Sequence, residues 1–453
     1  MLRRPPVVRA TLTRTFSSSR PAHKERLVIV GSGWAGYPLL QGIDKKRWHI
    51  TVVSPTGYFN FTPLLAGCAV GTLEFRCAVE STPATPPPAG TEPNTFPVRW
   101  DKLVIAAGAY SQTFGIPGVK EHAHFLKDVK DARAIRMRIL ECFEQAMQPT
   151  LTDIARRNLL NFCIVGGGPT GVEFAAELHD LLHAEVAAHY PTLAKLAKIT
   201  IYDVAPSILG SFDRTLVEYA ETTFSRDGIS ILTSHHVERV EAGKMFVKER
   251  GEVPFGLLVW STGLAPNPLI SSITEVKKDS RTQSLQTDEN LNVLRAADGT
   301  PDPNVWAIGD CAQIAGNVLP ATAQVANQKG IYLVKTLNKL GRRPDSFVPK
   351  PFKFENQGSL AYLGDWKAIY DRTGSTSKTT EEKLLNTESV NGRVAWLLWR
   401  SAYFTMTLSW RNKYADPRPD VLVRSMVFAL FGYPLDLCCR FLNWIFGRDI
   451  TRF

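Results

Sequence analysis

Gly31-Ser32-Gly33-Trp34-Ala35-Gly36 and Gly166-Gly167-Gly168-Pro169-Thr170-Gly171 decide the reading of this chain. Each is a G-x-G-x-x-G hexapeptide. Each follows a short apolar run, Leu27-Val28-Ile29-Val30 or Phe162-Cys163-Ile164-Val165, and precedes residues able to open a helix. Strand, glycine turn and helix start together make a cradle for the pyrophosphate of a dinucleotide. Gly31 and Gly166 make the tight turn. Gly33 and Gly168 keep side chains away from the phosphates, and Gly36 and Gly171 let helix and strand pack closely. The anion then rests at the positive end of the helix. One such hexapeptide is easily an ordinary glycine-rich turn. Two, with first glycines 135 residues apart, predict two nucleotides held side by side and electrons passing between them.

The end of the next strand selects the nucleotide. In the second unit Asp203 follows Ile199-Thr200-Ile201-Tyr202, and an acid there binds ribose hydroxyls and repels a 2′-phosphate, which favours NADH over NADPH. The gap from Gly166 is 37 residues, longer than usual, and a helical connection broken at Tyr190-Pro191 fills it. In the first unit the equivalent position is Ser54, a weaker ribose partner.

The 453 residues suggest about three domains, and 44% apolar content suffices for a packed core. Net charge is +10, but six cations (Arg3, Arg4, Arg9, Arg14, Arg20 and Lys24) precede the first acid, Glu25. An Arg-rich, Ser/Thr-containing, acid-free start predicts a mitochondrial presequence over residues 1–24. Setting those cations aside leaves +4, too little for a nucleic-acid stripe but compatible with an anionic membrane surface. The seven cysteines (68, 77, 142, 163, 311, 438 and 439) show neither Cys-x-x-Cys nor zinc spacing, so core cysteines and no metal are expected. An Asp-x-Asp-x-Asp-Gly calcium loop is absent too.

Further along, strands are expected at Trp48–Val53 and Leu103–Ile105, which runs on to Gly108, then at Ile199–Val204, Gly251–Trp260 (with Gly263 just beyond) and Val305–Asp310. A helix is expected over Lys127–Ala146, and the proline-crowded Ser81–Asn94 reads as a loop. Beyond Lys350, Phe352–Phe354 and Ala361–Leu363 look strand-like, followed by two aromatic-rich helical segments. Arg400 interrupts one apolar stretch, and Asp436 and Arg440 the other, so neither is expected to span a bilayer.

The chain resembles the type II NADH:quinone oxidoreductases, the alternative NADH dehydrogenases of the two-dinucleotide-binding flavoprotein group. The resemblance rests on Phe61-Thr62-Pro63-Leu64-Leu65, Gly166–Leu178, Val305–Asp310 with Cys311-Ala312, Ala323–Gly330 (AQVANQKG) and Phe446-Gly447-Arg448-Asp449-Ile450. It covers nearly everything after Lys24. It implies an α/β protein with two Rossmann-like dinucleotide-binding domains plus a C-terminal α+β membrane-attachment region. Residues 25–130 and 265–350 would hold non-covalent FAD, residues 131–264 NADH, and 351–453 the membrane surface, with homodimer contact as a further use. The implied flavin contacts are Gly31, Gly33, Gly36, Ser54, Thr62, Gly108, Gly309, Asp310 and Ala323; Gly166, Gly168, Gly171, Asp203 and Gly263 would serve NADH. Gln324 and Gln328, four apart on one helix face, would border the flavin and the quinone head group, and Glu173 would help deliver protons.

The implied activity passes a hydride from NADH to FAD and then two electrons to ubiquinone, without proton pumping, at the matrix face of the inner mitochondrial membrane. The alternative reading is a non-catalytic or slowly turning over flavoprotein that signals by redox-dependent interaction and resembles apoptosis-inducing factor. Trp396, Trp399, Tyr403, Phe404 and Trp410, interleaved with Arg393, Arg400, Arg411 and Lys413, suit a headgroup boundary, as do Phe441, Trp444, Ile445 and Phe446 beside Arg440 and Arg448. Two features depart from the family. The stretch between Leu65 and Leu103 is short, which would weaken the adenine side of the FAD site, and Ala415–Cys439 looks inserted.

Overall fold

The computed structural model describes residues 24–82, 96–342, 347–373 and 389–407. The expected presequence, the Pro-rich loop over 83–94 and the whole aromatic tail beyond 407 lie outside the described residues.

The apolar runs before the two glycine turns become the inner strands of two sheets. Glu25–Val30 lies between Trp48–Val53 and Lys102–Ile105, parallel to both. Its interior residues Leu27, Val28 and Ile29 are almost fully buried. This is the pattern of a strand covered on both faces, and it explains a continuous rather than alternating apolar run. Pro301–Ala307 pairs in parallel on the far side of Lys102–Ile105 and returns the chain to this sheet. The full order is Ala312–Ile314, Leu285–Thr287, Asn292–Leu294, Pro301–Ala307, Lys102–Ile105, Glu25–Val30, Trp48–Val53.

The second sheet is wholly parallel, in the order Ser230–Leu232, Lys198–Tyr202, Asn161–Val165, Leu257–Trp260, His124–Phe125. The chain thus joins this sheet before residue 131, through His124–Phe125. The two sheets are linked by an antiparallel ribbon of Ala109–Ser111 with Leu264–Pro266. Helix Val129–Ala146 opens on a capping box: Asp128 accepts from Lys130 N–H and Asp131 from Asp128 N–H. It buries Val129, Ala132, Ile135, Ile139, Cys142, Phe143 and Ala146, a stripe at helical spacing. The 37-residue gap is filled as expected. Helix Pro169–Leu181 runs through a π turn at Leu182–Val186 and breaks at Tyr190, before Pro191–Ala194.

Two strand expectations need correction. Gly251–Trp260 is two strands. Gly251–Pro254 completes a small antiparallel sheet with Val237–Glu241 and Lys244–Val247, and only Leu257–Trp260 enters the nucleotide-binding sheet. Gly256 forces the separation, since a Cβ there would collide with the Leu159 carbonyl. Phe352–Phe354 forms no strand. Phe352 is a buried anchor whose N–H donates to the Glu289 carbonyl at 2.8 Å.

The C-terminal region begins with the antiparallel sheet Ser359–Gly364, Lys367–Asp371, Ser389–Asn391, followed by helix Gly392–Thr407. Among the described residues no helix is long and apolar enough to cross a membrane. Trp396 and Trp399, expected at a headgroup boundary, are instead buried in the protein. Trp396 meets Trp366 at 4.7 Å, and Trp399 stacks on Tyr362 at 5.3 Å. The region docks on helix Pro169–Leu181 through strand Ser359–Gly364, and the last helix packs on the sheet of its own region, reaching Glu173 of that helix through Trp399.

Candidate functional site

Both glycine turns are built alike. Gly31 and Gly166 have φ of 108° and 113°, a region closed to most side chains. A Cβ on Gly31 would strike the Ala106 carbonyl, and one on Gly166 would lie 2.6 Å from the Ser261 carbonyl. In each unit, therefore, the turn is pressed against the end of the crossover strand. The third glycines, Gly36 and Gly171, would collide with the carbonyls of Gly31 and Gly166. The middle glycines differ: nothing lies within 4 Å of a Cβ on Gly33 or Gly168. Each turn is packed tight at its two outer glycines and open at the central one. The residues present fit two dinucleotide pyrophosphates.

Around the first turn, Ser54 meets Ser32 (Oγ to Oγ, 2.8 Å) at the end of Trp48–Val53. Trp34 Nε1–H donates to Thr62 Oγ1 at 3.0 Å, tying the turn to the 3-10 segment Thr62–Leu64. Gly108 sits between Lys102–Ile105 and the interdomain ribbon, with φ 66° and free space around it. Gly309 and Asp310 follow Pro301–Ala307, and Gly309 lies against Ala35 of the first turn. Burial pushes the Asp310 carboxyl upward, while Lys127 and Lys329 pull it back. Burial also pushes the Lys329 ammonium down to about 8. Lys127 and Lys329 were not singled out from sequence, because no motif marks a lysine that is buried only in three dimensions. Ala323 opens helix Ala323–Leu340, capped by Thr322 Oγ1 accepting from Val325 N–H.

Around the second turn, Asp203 accepts from Gly167 N–H and from Ala205 N–H. The carboxylate shapes the turn and keeps lone pairs for another donor. Ser261 Oγ–H donates to the Gly166 carbonyl at 3.2 Å, and the Gly263 carbonyl accepts from Gln112 N–H at 2.8 Å.

The two cradles are locked together by helix Leu65–Val70, which follows the Thr62-Pro63-Leu64 loop and packs on helix Pro169–Leu181. There Thr72 Oγ1–H donates to Glu177 Oε2 at 2.9 Å. Four residues earlier on the same helix, Glu173 Oε1 accepts from Tyr362 N–H at 3.2 Å and Trp399 Nε1–H at 3.4 Å. Burial pushes the Glu173 carboxyl up to about 8, outweighing both donors. Asp180 accepts from Tyr362 O–H at 2.6 Å and from Asp365 N–H. Gln324 and Gln328 do share one face, and that face meets the extended segment Glu355–Gly358. Gln328 exchanges two hydrogen bonds with the Glu355 backbone, at 2.8 and 3.0 Å. Gln324 Oε1 accepts from Gln357 N–H at 3.2 Å, and its Nε2–H donates weakly to Gly358 O at 3.5 Å. Each amide keeps one N–H and one lone pair.

Residues 87–330 match the family model "Pyridine nucleotide-disulphide oxidoreductase", and residues 356–416 match "NDH2 C-terminal domain". A "Probable NADH dehydrogenase" of Dictyostelium discoideum is 35% identical over 98% of this chain and 94% of its own. The chain belongs to the type II NADH dehydrogenases. An "Internal alternative NAD(P)H-ubiquinone oxidoreductase A1, mitochondrial" of Solanum tuberosum is 34% identical over 96% of this chain and 90% of its own. The "External NADH-ubiquinone oxidoreductase 2, mitochondrial" of Saccharomyces cerevisiae is 34% identical over 86% and 79%. The solved NDH2 of Plasmodium falciparum in complex with NADH shares the fold, with a TM-score of 0.76 at 24% identity over 91% of this chain and 99% of that one.

Proposed function

We infer that this type II NADH dehydrogenase is a non-proton-pumping NADH:ubiquinone oxidoreductase that works with non-covalent FAD on the matrix face of the inner mitochondrial membrane. The observation that carries the reading is the duplicated cradle: two glycine turns of one geometry, open only at Gly33 and Gly168, held together by the contact of Leu65–Val70 with Pro169–Leu181. Its Arg-rich, acid-free start, which leads directly into the first strand, supports the matrix side.

When bound, FAD would supply the two-electron chemistry between NADH and the quinone. The chain's own residues do the rest. Backbone N–H groups at Gly31–Gly36 and Gly166–Gly171 hold the pyrophosphates, and Asp310 and Asp203 offer carboxylates to sugar hydroxyls. Thr62, Ser54, Gly108, Ala323 and Gly263 shape the walls. Asp203 disfavours a 2′-phosphate by charge. Gln324 and Gln328 brace the segment leading into the C-terminal region and turn their remaining N–H groups to a quinone oxygen, a neutral donation that needs no titration. Glu173 keeps a proton at neutral pH, available to a developing quinol oxygen. The C-terminal region, from residue 351 on, attaches the protein to the membrane surface.

Purification of the full chain, a flavin spectrum and an NADH:ubiquinone assay test this. Bound flavin and fast turnover are expected. A protein colourless after reconstitution would overturn the reading. Slow turnover with a lasting charge-transfer band would point to the signalling alternative.

A further inference from the structure

Three charged groups from three separate segments converge beside the first glycine turn. Asp310 follows strand Pro301–Ala307, in the 3-10 segment Gly309–Cys311. Helix Ala323–Leu340 packs on that segment: a Cβ on Gly309 would lie 3.9 Å from the Ala326 methyl. Lys329 is three residues further along this helix, on the same face. Its ammonium donates to the Ala312 carbonyl, two residues past Asp310, at 3.4 Å. Lys127 comes from the link between His124–Phe125 and helix Val129–Ala146. Its ammonium donates to the Ala109 carbonyl, at the start of the interdomain ribbon, at 2.5 Å.

Local hydrogen bonding does not account for the burial of Lys329, which is only 3% exposed. An ammonium has three N–H groups, and the one bond seen here is long. A buried cation is costly unless an opposite charge answers it, and a methionine of similar shape would fill the same space without that cost. The charge within reach is Asp310. Among the described residues, no hydrogen bond or ion pair reaches its carboxylate. The residue is half-buried rather than sealed, so a donor from outside the protein has access to it.

Burial pushes the Asp310 carboxyl up toward its neutral acid, and Lys127 and then Lys329 pull it back. The difference matters for a hydroxyl ligand. An ionised acceptor makes a hydrogen bond roughly twice as strong as a neutral one. The other groups nearby do not compete for this role. Burial holds the Cys311 thiol at about 11, so it stays neutral. Asp131 acts on Lys127 instead, and its carboxylate already accepts from Lys127 N–H and Asp128 N–H. The turn Gly31–Gly36, which meets Gly309 through Ala35, brings no titratable side chain.

We propose that Lys127 and Lys329 are positioning residues for the flavin: together they hold Asp310 as the carboxylate that accepts from the sugar hydroxyls of FAD. The inference rests on the reading of Asp310 as a flavin contact. To test it, FAD is stripped from the full chain and its rebinding followed by flavin fluorescence at pH 5.5 and pH 8. K329M should bind FAD about tenfold more weakly than the wild type at pH 5.5, the equivalent of one pKa unit. At pH 8 the two should agree within about twofold, since Asp310 is then ionised unaided and Lys329 itself is half discharged. K329R keeps the charge and should follow the wild type at both pH values. In a D310N background, K329M should add no pH dependence. Should K329M fail to fold, K127M, at a half-buried side chain, should show the same pattern. Equal weakening at both pH values, as from a packing defect, would overturn the proposal; so would unchanged affinity, or a K329R as weak as K329M. A wild-type chain that takes up no FAD at either pH would strike down the flavin reading itself, and this inference with it.

Discussion

Replacing Glu173 with Gln should change how stability depends on pH, and the sign follows from its surroundings. Burial lifts this carboxyl from the usual 4.5 to about 8. Between those values the folded protein holds a proton that the unfolded chain has released. The group's contribution is therefore full below about pH 4.5 and is lost as pH rises through 8. At ~1.4 kcal/mol per pKa unit the ceiling of the effect is about 5 kcal/mol. Solvent reaches part of the side chain, which screens it, so ~2–3 kcal/mol is expected. Gln keeps an oxygen for Tyr362 N–H and Trp399 Nε1–H but carries no charge. E173Q should accordingly melt above the wild type at pH 8.5, with the gap closing by pH 5. Thermal unfolding of the flavin-loaded protein, followed by tryptophan fluorescence from pH 5 to 9, reads this directly. Parallel melting curves, with a constant gap, would refute the raised pKa and with it the idea that Glu173 stores a proton at neutral pH.

Four further substitutions have distinct expected outcomes. Gly168→Ala places a methyl in open space, so melting should stay within about 1 °C while KM for NADH rises at least tenfold. Gly171→Ala drives a methyl into the Gly166 carbonyl and should destabilise the domain as well, by ~1–3 kcal/mol; melting and NADH kinetics on the pair separate the two effects. Asp203→Asn keeps one acceptor for the turn but drops the charge, so the preference for NADH over NADPH should fall about tenfold, or ~1.4 kcal/mol, in kcat/KM. Gln328→Ala removes two hydrogen bonds to Glu355, worth ~1 kcal/mol each. It should raise KM for ubiquinone several-fold and leave NADH:ferricyanide turnover unchanged.

The central frame was legible because its signals are local. A glycine that needs positive φ, an apolar run and a helix start lie within a dozen residues, so Gly31–Gly36 and Gly166–Gly171 announced both turns and the strands beside them. Asp203 was legible for the same reason, as the residue that ends a strand. The small sheet at 237–254 was not, because its strands are short and the break from Leu257–Trp260 depends on Gly256 meeting Leu159, a contact between distant segments. Nor were the partners of Gln324 and Gln328 legible. Their i, i+4 spacing shows that they share a face, but nothing in that spacing says the face meets the backbone of residues 355–358.

The aromatics of the last described helix show where composition misleads. Tryptophans among arginines satisfy a lipid headgroup boundary and a protein groove equally well, since both offer an apolar body and a polar rim. The choice is settled on the other partner. Helix Pro169–Leu181 carries Glu173, Glu177 and Asp180 at i, i+4 and i+7, one acidic face on a largely apolar helix. Such a face cannot be buried against hydrocarbon side chains alone, because each carboxyl needs a donor. Thr72 serves Glu177, the Tyr362 hydroxyl serves Asp180, and Trp399 with the Tyr362 backbone serves Glu173. Trp and Tyr are the residues that pack a large apolar surface and still deliver a hydrogen bond at the tip. Trp399 is therefore drawn inward by the acid it must satisfy, and the C-terminal region becomes a fixed wall of the second nucleotide domain.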